Sequence, residues 1–105
     1  MTDLQKNIEF LVKQIITLCN PEKIFLFGSN ARGDASQHSD IDFLIVMPEG
    51  THKRNTAKML YTRIDSNGLS FDLLVTTPSC LEKHKDNIGL IYKTILEEGK
   101  LLYAA

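Results

Sequence analysis

Short apolar runs alternate along this chain with longer stretches in which apolar residues recur every three to four positions, and the change of period marks strands set between helices. Leu4, Ile8, Leu11, Val12, Ile15, Ile16 and Cys19 recur at helical spacing, with Asp3, Lys6, Asn7, Glu9, Lys13 and Gln14 on the opposite face. Thr2 or Asp3 can cap this helix, and Asn20-Pro21 ends it, because the residue before a proline is pushed out of the helical region. Lys23-Ile24-Phe25-Leu26-Phe27 is short and continuously apolar after its lysine, so it reads as a buried strand running into Gly28-Ser29. A small, polar loop from Asp34 to Ser39 precedes a second strand, Ile41 to Met47, and Pro48-Glu49-Gly50 then turns the chain. Thr51 can cap a second long helix through Ser66, with Ala57, Leu60, Tyr61 and Ile64 as its inner stripe and Asn67-Gly68 as its stop. Leu69 to Thr76 reads as a third strand. Pro78-Ser79 opens a helical region that breaks near Asn87 or Gly89 and resumes through Glu98, with Ile88, Ile91, Tyr92, Ile95 and Leu96 facing inward. Lys100-Leu101-Leu102-Tyr103 reads as a short final strand.

The resulting class is α/β (α+β), a small mixed β-sheet with helices packed on it. A chain of 105 residues can bury one hydrophobic core and not two, so residues 1–105 are expected to form a single domain. The formal net charge of -1 argues against a protein that holds nucleic acid by bulk electrostatics, which needs a strong basic excess. Cys19 and Cys80 lie far apart without Cys-x-x-Cys spacing, so neither a zinc site nor a disulfide framework is indicated. The first residues lack the basic start and apolar core of a secretory signal, and no apolar run approaches the length of a membrane span. The expected location is therefore the cytoplasm, with no membrane partner.

Asp40 and Asp42 flank Ile41 at the start of the second strand, so on a pleated strand both carboxylates project one way while Ile41 enters the core. Asp72 begins a similar apolar stretch and would join them if the two strands were neighbours. Three carboxylates at one edge repel one another, and the arrangement is tolerable mainly if cations neutralise it. Magnesium suits oxygen ligands and is usually completed by substrate phosphates, and two such ions can serve the attacking and leaving oxygens of an in-line displacement. Gly28-Ser29 follows a buried strand, where glycine lets a phosphate approach the backbone and the Ser29 hydroxyl can donate to it. Taken singly, each part has a plainer reading: Asp-x-Asp as a loop or cap, Gly-Ser as a turn, Asp72 as an edge charge that discourages aggregation. Lys53 and Arg54 could reach a triphosphate, although a solvated charged face is the plainer reading. His38, His52 and His84 read as surface residues rather than ligands.

Gly28-Ser29, ten intervening residues and Asp40-Ile41-Asp42, followed by Asp72 on a later strand, resemble the MNT-type minimal nucleotidyltransferases of the DNA polymerase beta superfamily. Ala31-Arg32-Gly33, Ser39, Thr77-Pro78 and the closing Glu98-Gly99-Lys100-Leu101-Leu102-Tyr103 look like the same family, so the resemblance covers nearly the whole chain. It implies a nucleotidyltransferase fold that binds a nucleoside triphosphate, with ATP as the expected nucleotide, together with Mg2+, as two ions. A nucleoside monophosphate would pass to an acceptor hydroxyl with loss of pyrophosphate. On the matching positions, the resemblance implies that Gly28 and Ser29 hold the β and γ phosphates and that Asp40 and Asp42 bind the metals. Asp72 would hold the catalytic metal and help deprotonate the acceptor. None of these positions is substituted. Arg32 either neutralises phosphate charge or pairs with Asp34 or the acidic cluster.

Larger members of the superfamily carry further domains that bind the acceptor, and this chain is expected to leave no room for one. The acceptor surface would then come from a second copy or a separate protein. The resemblance implies a HEPN-type toxin, a small helical RNase-like protein, as that partner, with this chain as the antitoxin that adenylylates it. The alternatives are neutralisation of the partner by binding alone, or transfer to a small molecule such as an antibiotic hydroxyl. Apolar residues near Leu101-Leu102-Tyr103 could mark an interface, a homo-oligomeric one included.

Overall fold

The computed structural model describes residues 3–28, 40–84 and 91–105. Its elements are α1 (Asp3–Cys19), β1 (Lys23–Phe27), β2 (Ile41–Val46), α2 (Lys53–Arg63), β3 (Phe71–Thr76), α3 (Pro78–His84), α4 (Ile91–Glu98) and β4 (Lys100–Ala104). The polar loop from Asp34 to Ser39, the break near Asn87 or Gly89, and Ile88 lie outside the described residues, as do the side chains of Ile91 and Tyr92.

The sheet has the order β3-β2-β1-β4. β1 runs antiparallel to β2, with Lys23 across from Val46 and Phe27 across from Asp42, and β4 runs antiparallel to β1. β2 and β3 are parallel, which obliges the chain to return to the starting end of β2 before β3 begins, and α2 makes that return. As an interior strand, β2 needs apolar side chains on both faces. Phe43, Leu44, Ile45 and Val46 accordingly run without alternation, and all four are buried.

The period of two sorts these residues between two faces. Ile41, Phe43 and Ile45 join Ile24 and Leu26 of β1 and Val75 of β3 in the main core, under Leu11 and Ile15 of α1, Leu60 of α2 and the following Ile64. Leu44 and Val46 point the other way, toward the side on which α4 packs against β1 through the buried Ile95. Each fully buried side chain of this size contributes about 1.5–3 kcal/mol relative to exposure. Gly99 joins α4 to β4: its N–H donates to the Ile95 carbonyl over 2.7 Å, and a Cβ at this position would run into that same carbonyl. Only glycine lets the helix end and the strand begin in so little space.

Several boundaries differ from the sequence-based expectation. His52, not Thr51, is the N-cap of α2: its Nδ1 accepts from the Asn55 N–H over 3.2 Å, while the Thr51 hydroxyl donates to the Pro48 carbonyl over 2.7 Å. The helix stops at Arg63 rather than Ser66, because Ile64 turns to extended backbone (φ -70°, ψ 128°) and buries its side chain in the core. Asn67 and Gly68, at φ 51° and 82°, build the turn into β3 instead of ending the helix. Leu4 and Leu96, expected inside, are 40% and 39% exposed. Neither Cys19 nor Cys80 is in a disulfide. Partial burial pushes the Cys19 thiol up to about 11, and its Sγ donates to the Ile15 carbonyl. No helix among the described residues is long and apolar enough to cross a membrane.

Candidate active site

Asp42 and Asp72 are each the second residue of their strands, and the parallel register of β2 and β3 makes them Cα partners. Both have the parity of Leu44 and Val46, so they project from the face opposite the main core. Asp40 stands just ahead of β2 and is exposed, as is Asp72, whereas Asp42 is partly buried between its strand neighbours. Burial raises the Asp42 carboxyl above its usual range, and the negative charges of Asp72 and then Asp40 raise it further. The electrostatics therefore register all three carboxylates as neighbours, with Asp42 at the centre.

Gly28 completes this edge. It follows Phe27, the β1 residue across from Asp42, and leaves the strand at φ 77°. A Cβ at Gly28 would collide with the Asp42 carboxylate. Two demands thus meet at this position, a left-handed backbone and a bare approach to a carboxylate, and glycine alone satisfies both. Ser29, the other expected phosphate contact, and Arg32, expected either at the phosphates or paired with an acidic side chain, lie outside the described residues.

Carboxylates are hard oxygen donors, and a set drawn from adjacent strand positions fits a divalent cation such as magnesium in donor type. Among the described residues, no three His, Cys, Asp or Glu side chains already converge on one metal-sized point. The repulsion that raises the Asp42 carboxyl also resists drawing the three together.

Lys53 and Arg54 do not join the site. They follow the far end of β2, roughly 13 Å along the strand from Asp42 at about 3.3 Å per residue, and Lys53 Nζ lies 3.5 Å from Cys80 Sγ. His52 is taken up in capping α2, while His38 and the side chain of His84 lie outside the described residues. A surface groove of about 370 Å³ is lined by Phe10, Lys13, Gln14, Thr17, Leu18 and Arg63. It contains none of the three carboxylates. Tyr61, expected in the inner stripe of its helix, is 47% exposed and lies against β3 instead.

The family model described as "Nucleotidyltransferase domain" matches residues 6–102. The chain belongs to the nucleotidyltransferase family. Its sequence is 37% identical over 83 residues, 78% of each chain, to a Methanocaldococcus jannaschii protein named "Putative protein adenylyltransferase MJ0604". Two solved structures share the fold. One is a "putative nucleotidyltransferase" from Sulfolobus solfataricus, with a TM-score of 0.64 and 22% identity, covering 94% of this chain and 78% of the other. The second was solved as "the toxin-antitoxin with AMP-PNP", with a TM-score of 0.61 and 19% identity, covering 92% of this chain and 73% of the other. An MNT-type nucleotidyltransferase on a mixed α/β scaffold accounts for both the sheet and the carboxylate edge. Nucleotidyltransferases as a class take a nucleoside triphosphate and generally a divalent metal.

Proposed function

We propose that residues 1–105 act as one nucleotidyltransferase domain that moves AMP from ATP to a hydroxyl of a partner protein, and that the partner is a HEPN-type toxin for which this chain is the cytoplasmic antitoxin. The observation that carries this reading is Asp42 standing directly across from Asp72, with Gly28 bare against the Asp42 carboxylate. Three features support it further: the relative that carries an adenylyltransferase name, the structural neighbour solved as a toxin–antitoxin with AMP-PNP, and the exposure of Asp72 on an edge strand. An acceptor can approach an edge strand without entering a pocket.

In this reading the acceptor oxygen attacks the α-phosphorus, the bond from that phosphorus to the bridging oxygen breaks, and pyrophosphate leaves. Asp40 and Asp42 would hold magnesium from the nucleotide side and Asp72 from the acceptor side, and bound Mg2+ would neutralise phosphate charge and lower the pKa of the attacking hydroxyl. Asp72, which faces solvent, would receive the acceptor proton. Gly28 and Ser29 would carry the β and γ phosphates on backbone N–H groups and the Ser29 hydroxyl, with Arg32 as counter-charge. The partly buried Asp42 would lose its electrostatic penalty when a cation arrives, so the same feature that strains the free protein favours loading.

The test is incubation with α-labelled ATP, magnesium and the product of the neighbouring reading frame, which this reading expects to be a HEPN-type protein. Label on the partner is expected with the wild type and is expected to fall by at least about a hundredfold in Asp42→Asn and Asp72→Asn, the scale on which lost charge stabilisation reduces transfer. Neutralisation of the partner that persists undiminished in both variants would replace transfer by simple binding. A neighbouring frame without a HEPN-like product would remove the antitoxin assignment.

A further inference from the structure

Asp72 lies on β3, at one edge of the sheet, where among the described residues the backbone has a partner strand on one side only. The ladder shows which groups face inward: Ile41 N–H donates to Ser70 O, and Met47 N–H to Thr76 O. Even-numbered residues of β3 therefore turn their backbone groups toward β2, and the odd-numbered Leu73 turns its N–H outward. That outward N–H is not left to solvent. It donates to the Tyr61 hydroxyl over 2.8 Å. The ring of the same tyrosine stacks on Phe71, with centroids 5.6 Å apart and planes 13° from parallel.

Phe71 and Leu73 are the residues on either side of Asp72, and one side chain from α2 holds both. Tyr61 reaches β3 from the face covered by α1 and α2, on which Phe71 and Leu73 lie, while Asp72 projects from the opposite one. The tyrosine thus cannot touch what Asp72 binds, but it restrains the backbone on each side of it. Its exposure of 47% is far more than core packing needs. A helix propensity or burial argument gives no reason for a tyrosine hydroxyl here, whereas an edge strand that must hold a carboxylate steady gives one.

We propose that Tyr61 is a positioning residue for Asp72, clamping the Phe71-Asp72-Leu73 segment of the edge strand by ring stacking on one neighbour and hydroxyl acceptance from the other. The inference rests on the reading of Asp72 as a metal-holding carboxylate, and the two can fail separately. Tyr61→Phe keeps the stack and removes only the acceptor. Mn2+ titration followed by electron paramagnetic resonance on the wild type, Tyr61→Phe, Asp72→Asn and the double variant gives a readout independent of turnover, and hydrogen exchange at the Leu73 amide reports the clamp itself.

Loss of one hydrogen bond at the positioning residue is expected to weaken Mn2+ binding about fivefold, with faster exchange at Leu73. In the transfer assay kcat should fall by a similar factor while KM for ATP holds. Because Tyr61 acts through Asp72, adding Tyr61→Phe to Asp72→Asn should weaken Mn2+ binding no further. Unchanged Mn2+ binding in Tyr61→Phe despite faster Leu73 exchange would reduce Tyr61 to an edge cover and overturn the proposal, leaving the role of Asp72 standing. Losses that multiply in the double variant would overturn it as well. Wild-type Mn2+ binding in Asp72→Asn would overturn both the proposal and the assignment of Asp72 beneath it.

Discussion

Asp42 is the residue at which stability and the proposed chemistry pull in opposite directions. Its carboxyl is held above its usual range by burial first and by Asp72 and Asp40 next, so the folded protein keeps this proton to a higher pH than the unfolded chain does. Stability from this group is accordingly greatest in acid, declines as pH rises from the ordinary carboxylate value of 3.8 through the raised folded value, and stays lowered above it. In chelator-treated protein, Asp42→Asn should therefore raise the thermal midpoint slightly at pH 7 and leave it unchanged below about pH 2.5, where the carboxyl is neutral in both the folded and the unfolded chain. The rise should be small, since solvent screens a group this open. Thermal unfolding across pH measures it, and a fall at pH 7 would mean that Asp42 holds a stabilising contact. The spacing of Asp40 and Asp42 was legible from the period of a strand. The collision that forbids a side chain at Gly28 was not, because it arises between residues of two paired strands.

At the scale of elements, local chemistry named most helices and strands but not the details of their ends. Thr51 and His52 are both plausible starts for α2 by type, threonine the more conventional. Pro48 decides between them by engaging the Thr51 hydroxyl through its carbonyl, which leaves His52 Nδ1 to take the Asn55 N–H. His52→Ala should then cost about 1 kcal/mol in urea unfolding, and His52→Asn should recover most of it, as an asparagine can accept the same bond. Equal losses in the two variants would show that the imidazole contributes by packing instead. The far end of the helix follows the same logic: Ile64 leaves the helix because the core offers it more than another helical turn would. Tyr61 belongs to this scale too. Its position in the helical stripe predicted burial, and the edge of β3 claimed it instead.

For the whole molecule, the parallel pairing of β2 and β3 is what turns two ordinary strand starts into one site, because a return through α2 is needed to bring Asp72 level with Asp42. A ligand bound to that edge should then stabilise the fold as a unit. Mg2+ with a non-hydrolysable ATP analogue at about a hundred times its dissociation constant should add about 2.7 kcal/mol, seen as a higher thermal midpoint, and the gain should vanish in Asp42→Asn. An equal gain in the variant would place the nucleotide elsewhere. The sequence by itself determined the alternation of strands and helices seen among the described residues and the three carboxylates, since these follow from periodicity and turn chemistry within a few residues. Tertiary structure decided that Asp42 and Asp72 meet in register, that they share the face away from the main core, and that Tyr61 braces the strand beneath one of them. Those relations depend on pairing between segments some thirty residues apart in sequence, where backbone hydrogen bonds and the burial of one face select a single register that no local pattern encodes.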